Sequence, residues 1–400
     1  MTTYTTLMLL CGLVIFSYLF DLIAGRTKLP SVLLLLFLGV SIRQVVIYFN
    51  IPTIDFTRIL PALGTLGLIL IVFEGALELK YTPEKNAVIK KSFFSALFIL
   101  LITAAVITGL FYYITGQSVY RSLVNAIPFC VVSSAIAIPS ASGLSKNKKE
   151  FIIYESSFSD ILTIILFNFT VSNSYFNFTA FTKLGVELIT ILLFALVSCL
   201  LLLYLIKKIT HHVKFFLIIS IIIMVYAIGQ QFHLSSLIVV LAFGLFLNNA
   251  SQIPLLWFRR KFLYPTLGHE LKQLLQLSAE SAFLMRTFFF VIFGFTMDTS
   301  QLRDGGMLIT AVFILVAIYI IRFLYIKLVS KTDLMPELVI APRGLISVLL
   351  YYNLPKHLQI PQIGTGLLFV VILSTSIIMS LGILASKKRI IATNQEFEDV

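Results

Sequence analysis

Apolar residues run along this chain in blocks of about 20, each long enough to cross a hydrocarbon core of roughly 30 Å as a helix. Thirteen such blocks can be marked, at about 5–24, 30–48, 59–79, 92–115, 120–144, 151–172, 181–206, 213–230, 234–249, 275–297, 305–327, 336–354 and 363–385. Each predicts a helix, since a segment surrounded by lipid must satisfy its backbone donors and acceptors internally. The stretch 250–274, with Trp257, Arg259, Arg260 and Lys261 followed by His269 to Lys272, is too polar to cross and reads as an interfacial segment. A signal peptide ahead of a globular body is excluded, because the apolar blocks continue to the end of the chain. The predicted fold class is an all-α polytopic membrane protein.

Composition agrees. Hydrophobic residues make up 59% of the chain, charged residues 12%, and mean hydropathy is +1.00, whereas soluble domains are about a quarter charged. The net charge of +12 would suggest nucleic acid if the basic residues were scattered. They are not. With loops assigned alternately to two sides, one side holds the clusters at 26–28, 80–91, 146–149, 207–214, 259–272, 327–331 and 387–389. The other holds only Arg43, Arg58, Arg121, Lys183, Arg303 and Lys356. The positive-inside rule then puts the N-terminus outside and a short tail, 386–400, in the cytoplasm of an inner or plasma membrane. No nucleic-acid partner is needed to explain the charge. Cys11, Cys130 and Cys199 sit in apolar blocks without paired spacing, and the five histidines fall in or beside loops, so neither type suggests a bound cofactor.

The chain also reads as two copies of one unit. Leu29-Pro30-Ser31 followed by Gly39 is echoed, at a constant offset of 205 residues, by Leu234-Ser235-Ser236 followed by Gly244, and Phe73-Glu74-Gly75-Ala76-Leu77-Glu78 resembles Ile292-Phe293-Gly294-Phe295-Thr296-Met297-Asp298. An odd number of spans separates each pair, so the copies insert upside down relative to each other, as in inverted-repeat secondary transporters. The expected organisation is one transmembrane domain over 1–400, with repeat one at about 5–172 and repeat two at about 213–385.

A charge near the bilayer centre costs at least about 3 kcal/mol on insertion scales, so each demands a reason. Glu74, Glu155 and Asp160 lie in mid-block, as do Arg286, Arg322 and Arg343. In Glu155-Ser156-Ser157-Phe158-Ser159-Asp160, helical spacing stacks Glu155 over Ser159 on one face and Ser156 over Asp160 on the next. A dehydrated monovalent cation takes such hard oxygen ligands, and a carboxylate can trade that cation for a proton. Structural ion pairing is the alternative reading, favoured here for Glu155 and not for Asp160. One block earlier, Ser133-Ser134-Ala135-Ile136-Ala137-Ile138-Pro139-Ser140 predicts a helix broken around Pro139, and Ala341-Pro342-Arg343-Gly344 interrupts the corresponding block of the second half.

Glu-Ser-x-x-Ser-Asp at 155–160 resembles the Glu-Ser-x-x-Asn-Asp motif of the monovalent cation:proton antiporter superfamily, which includes the sodium/proton exchangers. Phe73-Glu74-Gly75-Ala76-Leu77-Glu78-Leu79, Phe288-Phe289-Phe290-Val291-Ile292-Phe293-Gly294 and Arg343-Gly344-Leu345-Ile346-Ser347 are similar to further elements of that family, in the same order. The resemblance implies an inverted-repeat fold of about thirteen helices with crossing broken helices, a homodimer, and exchange of Na⁺, or K⁺ or Li⁺, for protons. It implies that Asp160 binds cation and proton in turn, with Ser156 as a hydroxyl ligand, Ser159, Ser133 and Ser134 nearby, and Glu74 reaching the site directly or through water. It also implies that Glu155 pairs with Arg343. Ser159 stands where the family usually has Asn or Asp, and Ser133-Ser134-Ala135-Ile136 is closer to the potassium-linked branch than to the Thr-Asp-Pro of sodium exchangers. With no second Asp before Asp160 and no Lys in mid-block, the expected exchange is electroneutral. A sodium-coupled organic-anion transporter is the alternative, with Arg286 and Arg322 available to hold the anion. An enzyme is disfavoured, because His and Cys do not cluster.

Overall fold

The computed structural model describes residues 3–27, 30–49, 60–79, 81, 83–141, 144–173, 177–208, 214–232, 236–254, 256–263, 265, 267–330 and 334–398. Among them there is no strand. Leu29, Leu234 and Ser235 of the repeat signature, and His211, His212 and His233, lie outside the described residues. In chain order the α-helices are α1 (Thr3–Thr27), α2 (Ser31–Tyr48), α3 (Leu60–Glu78), α4 (Asn86–Thr115), α5 (Val119–Ala126), α6 (Ser134–Ser140), α7 (Lys146–Ser172) and α8 (Phe178–Lys208). They continue with α9 (Lys214–Gln231), α10 (Ser236–Asn249), α11 (Leu256–Phe262), α12 (Leu267–Thr296), α13 (Gly305–Tyr325), α14 (Leu345–Tyr352) and α15 (Thr365–Glu398).

Several hydroxyls inside these helices bond back to carbonyls one turn earlier, as Thr108 does to Ala104, Thr163 to Ser159 and Thr375 to Val371, and those meet lipid or neighbouring helices with the donor satisfied. Seven helices are long and apolar enough to cross a membrane among the described residues. α7, although long, carries Glu155 and Asp160 in its middle, and α9 is apolar only over Phe216–Gln231.

The chain forms two compact units. One holds Met1–Pro61, Val88–Thr163 and Thr287–Val400, the other Ala62–Ala87 and Ile164–Arg286, so α7 and α12 each run from one into the other. In the first unit α2 crosses α12 with backbones in contact. A Cβ on Gly39 would land on the Val291 carbonyl oxygen, and one on Gly294 would land on that of Leu36. In the second unit α10 is buried against α8 and α9, and Gly244 lies against Phe73 and Ala76 of α3.

Two corrections concern backbone. The first-half break does not fall at Pro139, which sits near the end of α6 and helps terminate it. The chain unwinds earlier, over Val131–Ser133, after a 3₁₀ turn at Ile127–Phe129. A proline in the last turn removes one hydrogen bond from a helix already ending, whereas Val131-Val132-Ser133 ahead of α6 leaves helical conformation altogether. The segment 250–274 is likewise not one interfacial element: Leu267 onward already belongs to α12. The second-half break falls where expected, with residues 340–344 non-helical before α14.

Candidate ion-binding site

The two unwound segments cross. Ser133 N–H donates to the Pro342 carbonyl at 2.8 Å, a backbone bond between the halves of the chain that neither helix could provide. Gly344 is required here, since a Cβ would collide with Ser133 Oγ and Cβ and with Ile136. α7 passes this crossing with its polar face toward it. Ser159 Oγ accepts from Val132 N–H at 2.9 Å, which gives the freed backbone a partner and pins α7 to the break. One residue on, Asp160 Oδ2 accepts from Ser134 N–H at 3.3 Å, at the first turn of α6.

Asp160 is 6% exposed, and its other oxygen, Oδ1, is buried with no hydrogen-bond partner in the protein. Ser133 Oγ is buried and unpartnered in the same way. A carboxylate oxygen without a donor is costly in a dry interior unless a cation, a proton or water completes it. The expected hydroxyls behave differently from one another. Ser156 Oγ donates to the Ile152 carbonyl at 2.7 Å, so only its lone pairs could face an ion. Ser159, expected beside the ion, is engaged by Val132 N–H.

Glu155 lies one turn from Asp160 and is also buried, at 3% exposure. Its partner is Arg322 of α13, not Arg343, which corrects the expected pairing. Arg322 Nη2 meets Oε2 at 2.6 Å and Nη1 meets Oε1 at 3.3 Å, while Ser95 of α4 donates to Oε1 at 2.6 Å. Arg322 Nε further donates to the Glu337 carbonyl at 2.8 Å. The fork geometry of a guanidinium suits this bidentate pair, which ties α4, α7 and α13 together. Arg343 instead serves backbone: Nε donates to the Phe129 carbonyl at 2.9 Å, Nη1 to Ala341 at 2.7 Å and Nη2 to Cys130 at 3.4 Å. Its own N–H donates to Thr375 Oγ1 at 3.0 Å. A helix that stops in an apolar interior leaves carbonyls exposed and a partial negative charge at its end, and Arg343 answers both.

Glu74 lies on α3 in the second unit, half-buried, and interacts electrostatically with Arg286 of α12. Arg322, Ser95 and Thr375 are the functional neighbours that sequence reasoning missed or left unassigned. Arg322 carried the signal of an intramembrane charge. Ser95 and Thr375 carried none beyond being hydroxyls in apolar blocks.

A buried carboxylate with one oxygen open, held where two broken helices cross, is an arrangement suited to an ion-transporting membrane protein. The chain belongs to the transmembrane sodium/hydrogen exchanger family, whose model matches residues 11–387. Membership places it among membrane cation/proton antiporters, which are transporters rather than enzymes. Among solved structures it is similar to the sodium proton antiporter MjNhaP1 from Methanocaldococcus jannaschii at pH 8, with a TM-score of 0.71 and 21% identity over 95% of this chain and 100% of the other. A second structure of MjNhaP1, from an electron-microscopy map, gives a TM-score of 0.70 and 22% identity over 97% and 98%. No curated protein matches the sequence.

Proposed function

We propose that the protein exchanges one monovalent cation, Na⁺ or else K⁺ or Li⁺, for one proton through Asp160, without net charge movement. The observation that carries this reading is the buried Asp160 Oδ1 that no protein group satisfies. A desolvated cation there gains a full charge and the unpartnered Ser133 hydroxyl as ligands. A proton satisfies the same oxygen by neutralising it. The two cargoes therefore exclude each other, which is the coupling that antiport requires. Arg322 and Arg343 are occupied by Glu155 and by carbonyls, which leaves Asp160 as the carboxylate that this reading gives to the exchanged proton. The inverted repeat supports the reading too: Gly39 of the first copy meets α12 of the second, and Gly244 of the second meets α3 of the first. In the proposed arrangement the protein is a homodimer with its N-terminus outside.

Reconstituted proteoliposomes with an internal pH dye test this. Na⁺, K⁺ or Li⁺ pulses should move protons, and the apparent cation affinity should fall as pH is lowered, because protons compete for one carboxylate. Sustained currents on a solid-supported membrane, absent in Asp160→Asn, would overturn electroneutrality. The organic-anion alternative loses a candidate ligand, since Arg322 is already bound by Glu155.

A further inference from the structure

The end of α8 and the short helix α11 form a second charged feature, one that transport does not use. α8 is apolar over Phe178–Leu205 and reaches the edge of its membrane span at Lys207 and Lys208. α11 lies against that end: Lys207 Nζ donates to the Lys261 carbonyl at 2.9 Å and reaches that of Arg260 at 3.4 Å. Burying Phe258 and Phe262 fixes which face of α11 turns outward, and that face shows Leu256, Trp257, Arg259, Arg260 and Lys261.

Leu256, Trp257, Arg260 and Lys261 line a cavity of about 420 Å³. Leu256 is 72% and Trp257 63% exposed, so one wall is apolar and open. The remaining lining is cationic, and Lys261 Nζ lies 5.1 Å from the centre of the Trp257 ring. Two neighbouring cations are already engaged: Arg259 donates to the Ile253 and Ser251 carbonyls, and Lys208 lies 4.6 Å over Tyr204. Arg260 and Lys261 are the two cations that line the cavity, Lys261 holding its ammonium there over the Trp257 and Phe262 rings.

We propose that this corner of α8 and α11 binds the headgroup of an anionic phospholipid. The reasoning is one of matching chemistry. Clustered Lys and Arg at a membrane surface attract anionic headgroups, and an exposed Trp sits at the headgroup level. A phosphodiester meets Arg260 and Lys261 while its acyl chains lie along Leu256 and the apolar flank of α8. A free phosphate would use the cations and leave the apolar wall uncovered.

Trp257 is the single tryptophan of the 400-residue chain, so its fluorescence reports this corner alone. The full-length protein is placed in nanodiscs with brominated phosphatidylglycerol or brominated phosphatidylcholine at equal mole fraction. Local enrichment should make the anionic lipid quench about twofold more or better. In the double variant Arg260→Gln/Lys261→Gln, both positions being exposed, that ratio should fall to one with the thermal transition unchanged. Equal quenching in the unaltered protein overturns the proposal, as does a preference that survives in the double variant. Relief of quenching by inorganic phosphate at constant ionic strength would show an anion site instead of a lipid site. No transport is measured, so the outcome is independent of the role of Asp160.

Discussion

Glu155 and Asp160 are both carboxylates, buried to nearly the same degree, one turn apart on one helix. Their surroundings differ. Glu155 meets a bidentate guanidinium and a serine hydroxyl, so its charge is compensated where it stands. Asp160 has Ser134 alone as its hydrogen-bond partner, through its backbone N–H and its side chain, and its Oδ1 accepts from nothing. Burial alone therefore does not mark a transport carboxylate. In the proposed mechanism the unfilled coordination is what distinguishes Asp160, because it leaves room for a partner that comes and goes.

The largest effect should separate the two roles outright. Asp160→Asn should reduce cation-driven proton movement to background while leaving the thermal transition in detergent equal to that of the parent protein or higher, since the neutral amide no longer needs a counter-ion. Normal transport in that variant would break the comparison. Next in size, Arg322→Met strands a charged Glu155 in the interior and should cost about 3–5 kcal/mol of stability. Glu155→Leu added to Arg322→Met should recover part of that loss, whereas Glu155→Leu with Arg343→Met should be additive, since those two side chains do not meet. Arg343→Met alone should cost about 2 kcal/mol, by leaving the carbonyls of Phe129, Ala341 and Cys130 without a charged donor. Ser159→Ala removes the acceptor for Val132 N–H and should cost about 1 kcal/mol. Ser156→Ala loses only a bond within its own helix and should change stability by under about 0.5 kcal/mol, so any larger fall in transport would assign Ser156 to the ion.

Most of the helices were readable because each apolar block must hydrogen-bond to itself. Asp160 stood out because a carboxylate in mid-membrane is costly and needs a reason, and Glu-Ser-x-x-Ser-Asp surrounds it in sequence with hydroxyls. What could not be read was which arginine faces Glu155. Helical spacing gives the face of one helix, but the contact between α7 and α13 depends on how distant segments pack, and Arg322 and Arg343 are equal candidates by that measure. Arg343 held an unused clue: it follows Pro342 in a segment expected to unwind, where carbonyls are freed and need a donor. The break at Val131–Ser133 was misplaced for a related reason. Proline is the loudest local signal, yet the unwinding is set by Ser159 and Pro342, which supply partners for Val132 and Ser133 from elsewhere in the chain.

The contact between Gly39 and Gly294 has a mechanical consequence. With no side chain between them, α2 and α12 are spaced by backbone atoms, and sliding either by one residue would drive Leu38, Val40, Phe293 or Phe295 into the other's carbonyls. The crossing thus works as a rivet. Within this unit, α2 and the 287–296 end of α12 are thereby locked into one piece.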